Sequence, residues 1–364
     1  MRTHYWALIL FFSLGIVEVC GCGGTDQSGS DSGDSFDAHS TVTYLPHTVL
    51  NLQTAIDQDG NPDIADPVVI RDEDTWYLYA TQTKKDLHVW RSKDLKDWVR
   101  SGPVWEPTPG AWNARGQVWA PHVQATDEGY YMYYTADMQI GVARADTPKG
   151  PFIDVFDHPL VGGGYGGVGD GKYQYDPGDG EYDFRAAFAL DFEEKAIDAF
   201  VLKASDGSLT LYFSAYRPFS MIYGVPMTSW TSVADEAPTT LIEPDPQGWE
   251  GFVAEGAWVV EHDGRFHLMY SGNAADMPQY SIGAAVGDSP LGPFVKYAEN
   301  PILSQDPDAD FFGPGHHCLV EGAFGDLLMF YHTKVSKQQG FDRRIRYAPV
   351  AFDGDDGHIK ASPP

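Results

Sequence analysis

The chain is short of cysteine, short of basic residues and short of stretches free of glycine and proline. Three cysteines in 364 residues are too few for a disulfide framework. Cys20 and Cys22 lie near the start and Cys318 stands alone in the body, so the folded part is expected to hold without an internal disulfide. Only 24 lysines and arginines face 52 aspartates and glutamates, a net charge of −28. That balance repels phosphate backbones and anionic lipid surfaces, and it excludes nucleic acid as a partner. The charge itself serves solubility. With 39 glycines and 25 prolines spread along the chain, long helices have nowhere to run, whereas short strands joined by turns do.

Long apolar runs are scarce too. The one at the N-terminus, Ala7 to Val19, follows Arg2 and is interrupted by Glu18. It is too short to span a bilayer and has the layout of an export signal. Val19-Cys20-Gly21-Cys22 is similar to a bacterial lipobox, with Cys22 as the residue to be acylated. Residues 1–22 are therefore expected to be a signal peptide of lipoprotein type. Residues 23–41, rich in Gly, Ser and Asp, lack the apolar surface to fold and read as a flexible linker. Residues 42–364 are expected to form the folded domain of an exported protein, either membrane-anchored or secreted, acting as a monomer.

What is present is aromatic residues, 14% of the chain, and they recur in one pattern. Five strands read Trp76–Thr81, Tyr130–Thr135, Leu209–Ser214, Phe266–Ser271 and Leu327–His332. Each follows a shorter apolar strand, and these begin at Asp66, Ala120, Asp198, Glu255 and His316. From Asp66 to Thr81 and from Ala120 to Thr135 is 15 positions; from Asp198 to Ser214, Glu255 to Ser271 and His316 to His332 is 16. Repeats of this length, each holding several strands, predict an all-β fold, a five-bladed β-propeller. One small twisted sheet cannot cover both its faces, but neighbours packed around an axis can. The tail Phe341–Phe352 reads as a late strand of the fifth blade, and the segment 41–50 as its partner closing the ring. The Gly-rich run from Gly162 to Gly167 lacks the Gly-Lys-Ser/Thr ending of a phosphate loop. It is expected to be a long loop, spanning 161–183, at the mouth of the propeller.

The shared register predicts that Asp66, Asp198, Glu255 and His316 occupy one place in four copies of the unit and meet at the hub. Three carboxylates crowded near an axis repel one another and lose hydration. A purely structural hub would place small or apolar residues there. Hydrolysis of a glycosidic bond needs one carboxyl protonated, to help the leaving oxygen depart, and one ionised, to activate water. A third carboxylate close to the acid raises its pKa.

The motifs Asp66-Pro67-Val68-Val69-Ile70, Trp119-Ala120-Pro121-His122, Ile197-Asp198-Ala199-Phe200, Ala254-Glu255-Gly256-Ala257-Trp258 and Gly313-Pro314-Gly315-His316 resemble, in order, those of glycoside hydrolase family 43. The resemblance covers about 42–355. It implies a five-bladed propeller that cleaves arabinose- or xylose-containing plant cell-wall polysaccharides or oligosaccharides with inversion at the anomeric carbon. It makes Asp66 the general base, Glu255 the general acid and Asp198 the modulator of the acid's pKa. It gives Trp119, His316 and Arg343 or Arg344 to substrate binding. It further implies that His316 contacts, through water, a possible structural calcium at the propeller centre, with no cofactor required for the chemistry. Ala199 and Ala257 replace prolines common in the family, and neither change removes a carboxylate. The implied activity is that of an α-L-arabinofuranosidase or β-xylosidase. The alternatives are an endo-1,5-α-L-arabinanase on the same fold and a non-catalytic carbohydrate-binding propeller. Retaining fructosidases are disfavoured, because Ile64-Ala65 precedes Asp66 where they carry an Asn-Asp-Pro-Asn type motif. A phosphorylase is disfavoured by the sparse, scattered basic residues.

Overall fold

The computed structural model describes residues 47–52, 63–82, 86–114, 117–162, 196–216, 219–353 and 357–364. The expected signal peptide, the linker, Cys22 and the Gly-rich loop beyond Gly162 lie outside the described residues.

Five antiparallel sheets follow one another along the chain. Blade 1 is Ile64–Asp72, Thr75–Gln82, Leu87–Ser92 and Val99–Trp105, and blade 2 is Val118–Thr126, Gly129–Ala136, Gln139–Ala145 and Ile153–Asp154. Blade 3 runs Ile197–Lys203, Leu209–Tyr216, Ser220–Ser229 and Ser232–Val233, with Thr239–Ile242 also paired to its third strand. Blade 4 is Ala254–His262, Arg265–Gly272, Ser281–Gly287 and Val295–Lys296. Blade 5 is Phe312–Glu321, Leu327–Lys334 and Arg343–Phe352, flanked by Thr48–Val49 and Ile359–Ala361. Thr48 pairs with Tyr347 and Val49 with Arg346, so the ring closes with the start of the described chain on its last blade, as expected.

The aromatic strands are the second strands, and their side chains fill the spaces between blades on both sides. Tyr79, Tyr133 and Tyr212 hold one position in blades 1, 2 and 3. Each phenol donates to a carbonyl in the next blade: Tyr79 to Pro148, Tyr133 to Trp230 at 2.5 Å and Tyr212 to Pro290 at 2.7 Å. A phenol buries an apolar body while its hydroxyl remains satisfied, which is why this position takes Tyr rather than Phe.

The innermost strands all carry one extra residue near their start, a β-bulge. The bulge residues are Asp66, Ala120, Asp198, Gly256 and His316, with φ of 51°, 43°, 59°, 61° and 43°. Four side chains in this uncommon backbone region, at one position of a repeat, mark a feature that the surroundings impose. Part of that surrounding is a chain of clasps between blades. The amide of Ala120 donates to Thr81 (2.7 Å), that of Asp198 to Thr135 (3.1 Å) and that of His316 to Ser271 (2.8 Å). At the fifth junction the amide of Asp66 faces His332 Nδ1 at 3.4 Å.

Inward from the bulges, His122, Phe200 and Trp258 from three blades touch across the axis, with ring centroids 4.5–5.6 Å apart. Beyond this plug a cavity of about 850 Å³ opens at the other end of the axis, lined by Arg71, Gln124, Lys203, Glu261 and Glu321 among others. None of the three site carboxylates lines it.

Candidate active site

The bulges place the carboxylates, but not in a single register. Glu255 pairs with Ser271, as Ala65 pairs with Thr81, Trp119 with Thr135 and Ile197 with Ser214. The fourth-blade equivalent of Asp66 and Asp198 is therefore Gly256, and Glu255 stands one residue earlier. This corrects the expectation that all four site residues share one place. The physical reason is the left-handed backbone at the bulge, together with the room available there. A Cβ on Gly256 would meet the His316 ring at 3.3 Å, so glycine occupies the bulge in blade 4. The longer Glu side chain sits at the preceding position, the one that Trp119 holds in blade 2.

Asp66, Asp198 and Glu255 are each buried, with 8% of their surface exposed. Asp66 sits in a basic pocket. Oδ1 lies 3.3 Å from His316 Nδ1, 3.3 Å from His332 Nδ1 and 3.6 Å from an Arg343 terminal nitrogen. Burial pushes the Asp66 carboxyl up, but the charges of His316 and Arg343 and the His332 hydrogen bond outweigh it and hold it well below the usual range. Burial lowers the pKa of both imidazoles, that of His332 to about 4. Arg343 is therefore the cation that persists beside Asp66 at neutral pH. Arg343 is itself fixed by a two-pronged bond to buried Asp63, at 2.8 and 3.0 Å.

Glu255 sits in the opposite environment. Among the described residues no cation lies within salt-bridge distance of it, Arg343 acts on it only from further off, and its Oε1 accepts from Tyr280 at 2.8 Å. Burial pushes its pKa up to about 7 against the Tyr280 hydrogen bond, with Asp66's charge adding to the rise. Asp198 is raised as well, by burial and by the charges of Glu255 and Asp66, while the Gly256 amide donates to it. Asp198 and Glu255 thus behave as a coupled pair that retains a proton near neutrality. The Gly256 amide, directed to Asp198, leaves the Ser214 hydroxyl, the fourth clasp, with no bond among the described residues.

Of the remaining expected site residues, His316 is where the register placed it. Arg343, not Arg344, reaches Asp66; Arg344 follows it in the strand and so faces the other side. Trp119 is half-buried on the same rim, its indole donating to Gln117 at 3.2 Å. Sequence reasoning missed Asp63, Tyr280 and His332. His332 had a signal: the second strands end in Thr81, Thr135, Ser214 and Ser271, and then in His332. Tyr280 stacks on His332 with centroids 5.5 Å apart. It fits only because position 315 is glycine, where a Cβ would lie 2.0 Å from its ring.

A directly ligated calcium does not fit these side chains. Among the described residues no three of His, Cys, Asp and Glu converge as a metal set. A hard cation asks for six to eight oxygens, whereas His316 offers nitrogen and Asp66 is engaged by Arg343.

The sequence pattern of the family described as Glycosyl hydrolases family 43 matches residues 60–179 and 174–358. The chain belongs to glycosyl hydrolase family 43. As a member it is a glycosidase, and its relatives agree. It is 23% identical to a beta-D-galactofuranosidase of Aspergillus niger, over 88% of this chain and 89% of that one. It is 26% identical to a xylosidase/arabinosidase of Bacteroides ovatus, over 74% and 82%. Among solved structures, a thermostable family-43 glycoside hydrolase superposes with a TM-score of 0.68 at 29% identity, covering 83% of this chain and 93% of that one. An endo-1,4-beta-xylanase of Bacteroides thetaiotaomicron gives 0.69 at 27%, covering 83% and 95%.

Proposed function

We propose that this family 43 chain removes arabinose or xylose units from plant cell-wall polysaccharides or oligosaccharides by single displacement, with inversion. Water held by Asp66 attacks the anomeric carbon and passes a proton to that carboxylate. Glu255 gives its proton to the departing glycosidic oxygen. Asp198 keeps Glu255 protonated. His316, Arg343 and the Trp119 indole bind the sugar. The observation that carries this reading is the opposed surroundings of two buried carboxyls in one ring: Asp66 faces His316, His332 and Arg343, which favour its ionised form, whereas Glu255 faces the Tyr280 phenol and its burial pushes its pKa up to about 7.

The test is proton NMR of the first product formed, on α-L-arabinofuranosides and β-xylosides. The newly released sugar is expected in the anomeric form opposite to that of the substrate. Release with the same form would reject single displacement. Release of oligomers instead of monomers from linear arabinan would favour the endo reading. The Aspergillus niger relative, named for galactofuranoside cleavage and matching most of both chains, places galactofuranosides in the same panel. Export and acylation of Cys22 belong to this reading as well, and fatty-acid labelling of wild type against C22S tests them.

A further inference from the structure

Blades 3 and 4 meet on the rim that carries the carboxylates, and an aromatic pair sits there that the chemistry above does not use. Phe252 is 55% exposed. Its ring lies 5.1 Å from that of Phe219, tilted by 33°. The two come from different blades and are tied by backbone. The Ser220 amide donates to the Phe252 carbonyl at 3.1 Å, Ser220 bridges Val253 in parallel, and the Ser220 hydroxyl donates to the Ala254 carbonyl at 3.1 Å. The pair is thus fixed in place on the rim.

Leaving an aromatic ring in water forgoes the gain from burying it, and here two rings pack together, held by backbone bonds, within three residues of Glu255, which sets the pair apart from a singly exposed ring. Phe252 stands three residues before Glu255, so its Cα is at most about 11 Å from that of the acid. Phe219 leads into the strand beside Leu209–Tyr216, whose Ser214 pairs with Ile197, the residue before Asp198. The pair therefore flanks the acid, whereas the base Asp66 belongs to blade 1 and is held by Arg343. In a single displacement water and leaving group lie on opposite faces of the anomeric carbon, so the departing sugar lies on the acid's side. One face of a pyranose or furanose ring is largely C–H. It is slightly positive and apolar, and matches the negative face of a benzene ring.

We propose that Phe252, backed by Phe219, is the platform for the sugar on the leaving side of the scissile bond, and that it makes the enzyme prefer oligosaccharides to simple glycosides. This rests on the hydrolase reading above. The experiment compares wild type, F252A and F219A on two substrates of the same sugar. One is a linear β-1,4-xylo- or α-1,5-arabino-oligosaccharide, whichever wild type cleaves, and the other is the glycosyl fluoride, which has no leaving sugar. F252A is expected to lower kcat/KM on the oligosaccharide about five- to tenfold, mainly through KM. On the fluoride it is expected to stay within about twofold of wild type. F219A, half-buried, is expected to give the same pattern more weakly. F324A, at a 73% exposed position in the hairpin at the opposite end of blade 5, is expected to change neither. Equal loss on both substrates, or no loss on the oligosaccharide, overturns the platform while leaving the hydrolase intact. A folded wild type that cleaves neither substrate overturns the arabinose- or xylose-releasing reading above, and the platform with it.

Discussion

Glu250 and Glu255 stand five residues apart at the entrance to the same blade. Both are buried, with 1% and 8% exposure, and both accept a hydrogen bond from a tyrosine, Tyr270 and Tyr280 respectively. The difference is a cation and an amide. Glu250 also receives Lys296 Nζ at 2.7 Å and the Asp245 amide at 2.6 Å, so its charge is answered on every side. Glu255 has Tyr280 and, nearby, two more carboxylates. The same residue type at the same depth is thus a structural anion in one place and a proton store in the other. Burial alone decides neither role; partners do.

The largest effects should come from breaking the proton-handling side. Asp66→Asn is expected to lower kcat/KM about a thousandfold or more on every substrate, because water loses its proton acceptor. Glu255→Gln should match that loss on alkyl glycosides and largely spare glycosyl fluorides, whose leaving group needs no proton. Equal loss on both would remove Glu255 from the acid role. Stability should move the other way. The folded pKa of Glu255, about 7, lies above its ordinary value of 4.5. Its contribution to stability is therefore complete below that ordinary value and is lost as pH rises through about 7. Melting at pH 8 should occur at higher temperature for Glu255→Gln than for wild type, and a lower melting temperature would contradict the assigned protonation.

The structural side should break differently. Glu250→Gln leaves Lys296 facing a neutral amide. Lys296 is one-third exposed, so water recovers part of the loss, and the cost should be about 2 kcal/mol of unfolding free energy. Urea unfolding measures it. The kcat/KM should stay within about twofold, and a large kinetic loss would merge two carboxylates that the structure keeps distinct.

These contrasts also locate what the sequence could and could not carry. The five blades were legible because each repeats a strand pair at nearly constant spacing with aromatics on both faces, which only blades covered on both sides require. The placement of Asp66, Asp198, Glu255 and His316 at the starts of innermost strands was legible. The one-residue offset of Glu255 was not, because it depends on where the bulge falls, and a bulge leaves the count of residues almost unchanged. Asp63 and Tyr280 left no pattern at all. They reach the site from a strand approach and a loop, and their roles exist only once Arg343 and Gly315 are in place. Glu250 and Glu255 read alike in the chain, since Lys296 approaches from 46 positions away.

A smaller effect should sharpen the comparison. Tyr280 donates to the ionised form of Glu255 and so opposes burial. Tyr280→Phe removes that bond, which raises the acid's pKa. The acid must be protonated to work, so the alkaline limb of kcat/KM, expected near pH 7 in wild type, should move up by about half a pH unit to one. A downward move would mean that the phenol stabilises the protonated acid instead. The acidic limb should stay, because it belongs to Asp66, which Arg343 continues to hold.

The smallest effect tests the metal. Arg343, anchored on Asp63, already supplies the positive charge beside Asp66, and no set of described side chains converges on a cation. Prolonged treatment with EDTA should therefore leave kcat/KM within about twofold. A large loss restored by calcium, and not by magnesium, would mean that a water-held cation at His316 shares the task assigned here to Arg343. Arg343→Lys separates the two. It keeps a charge but not the two-pronged bond to Asp63, so its defect should persist with calcium present if Arg343 is what holds Asp66 ionised.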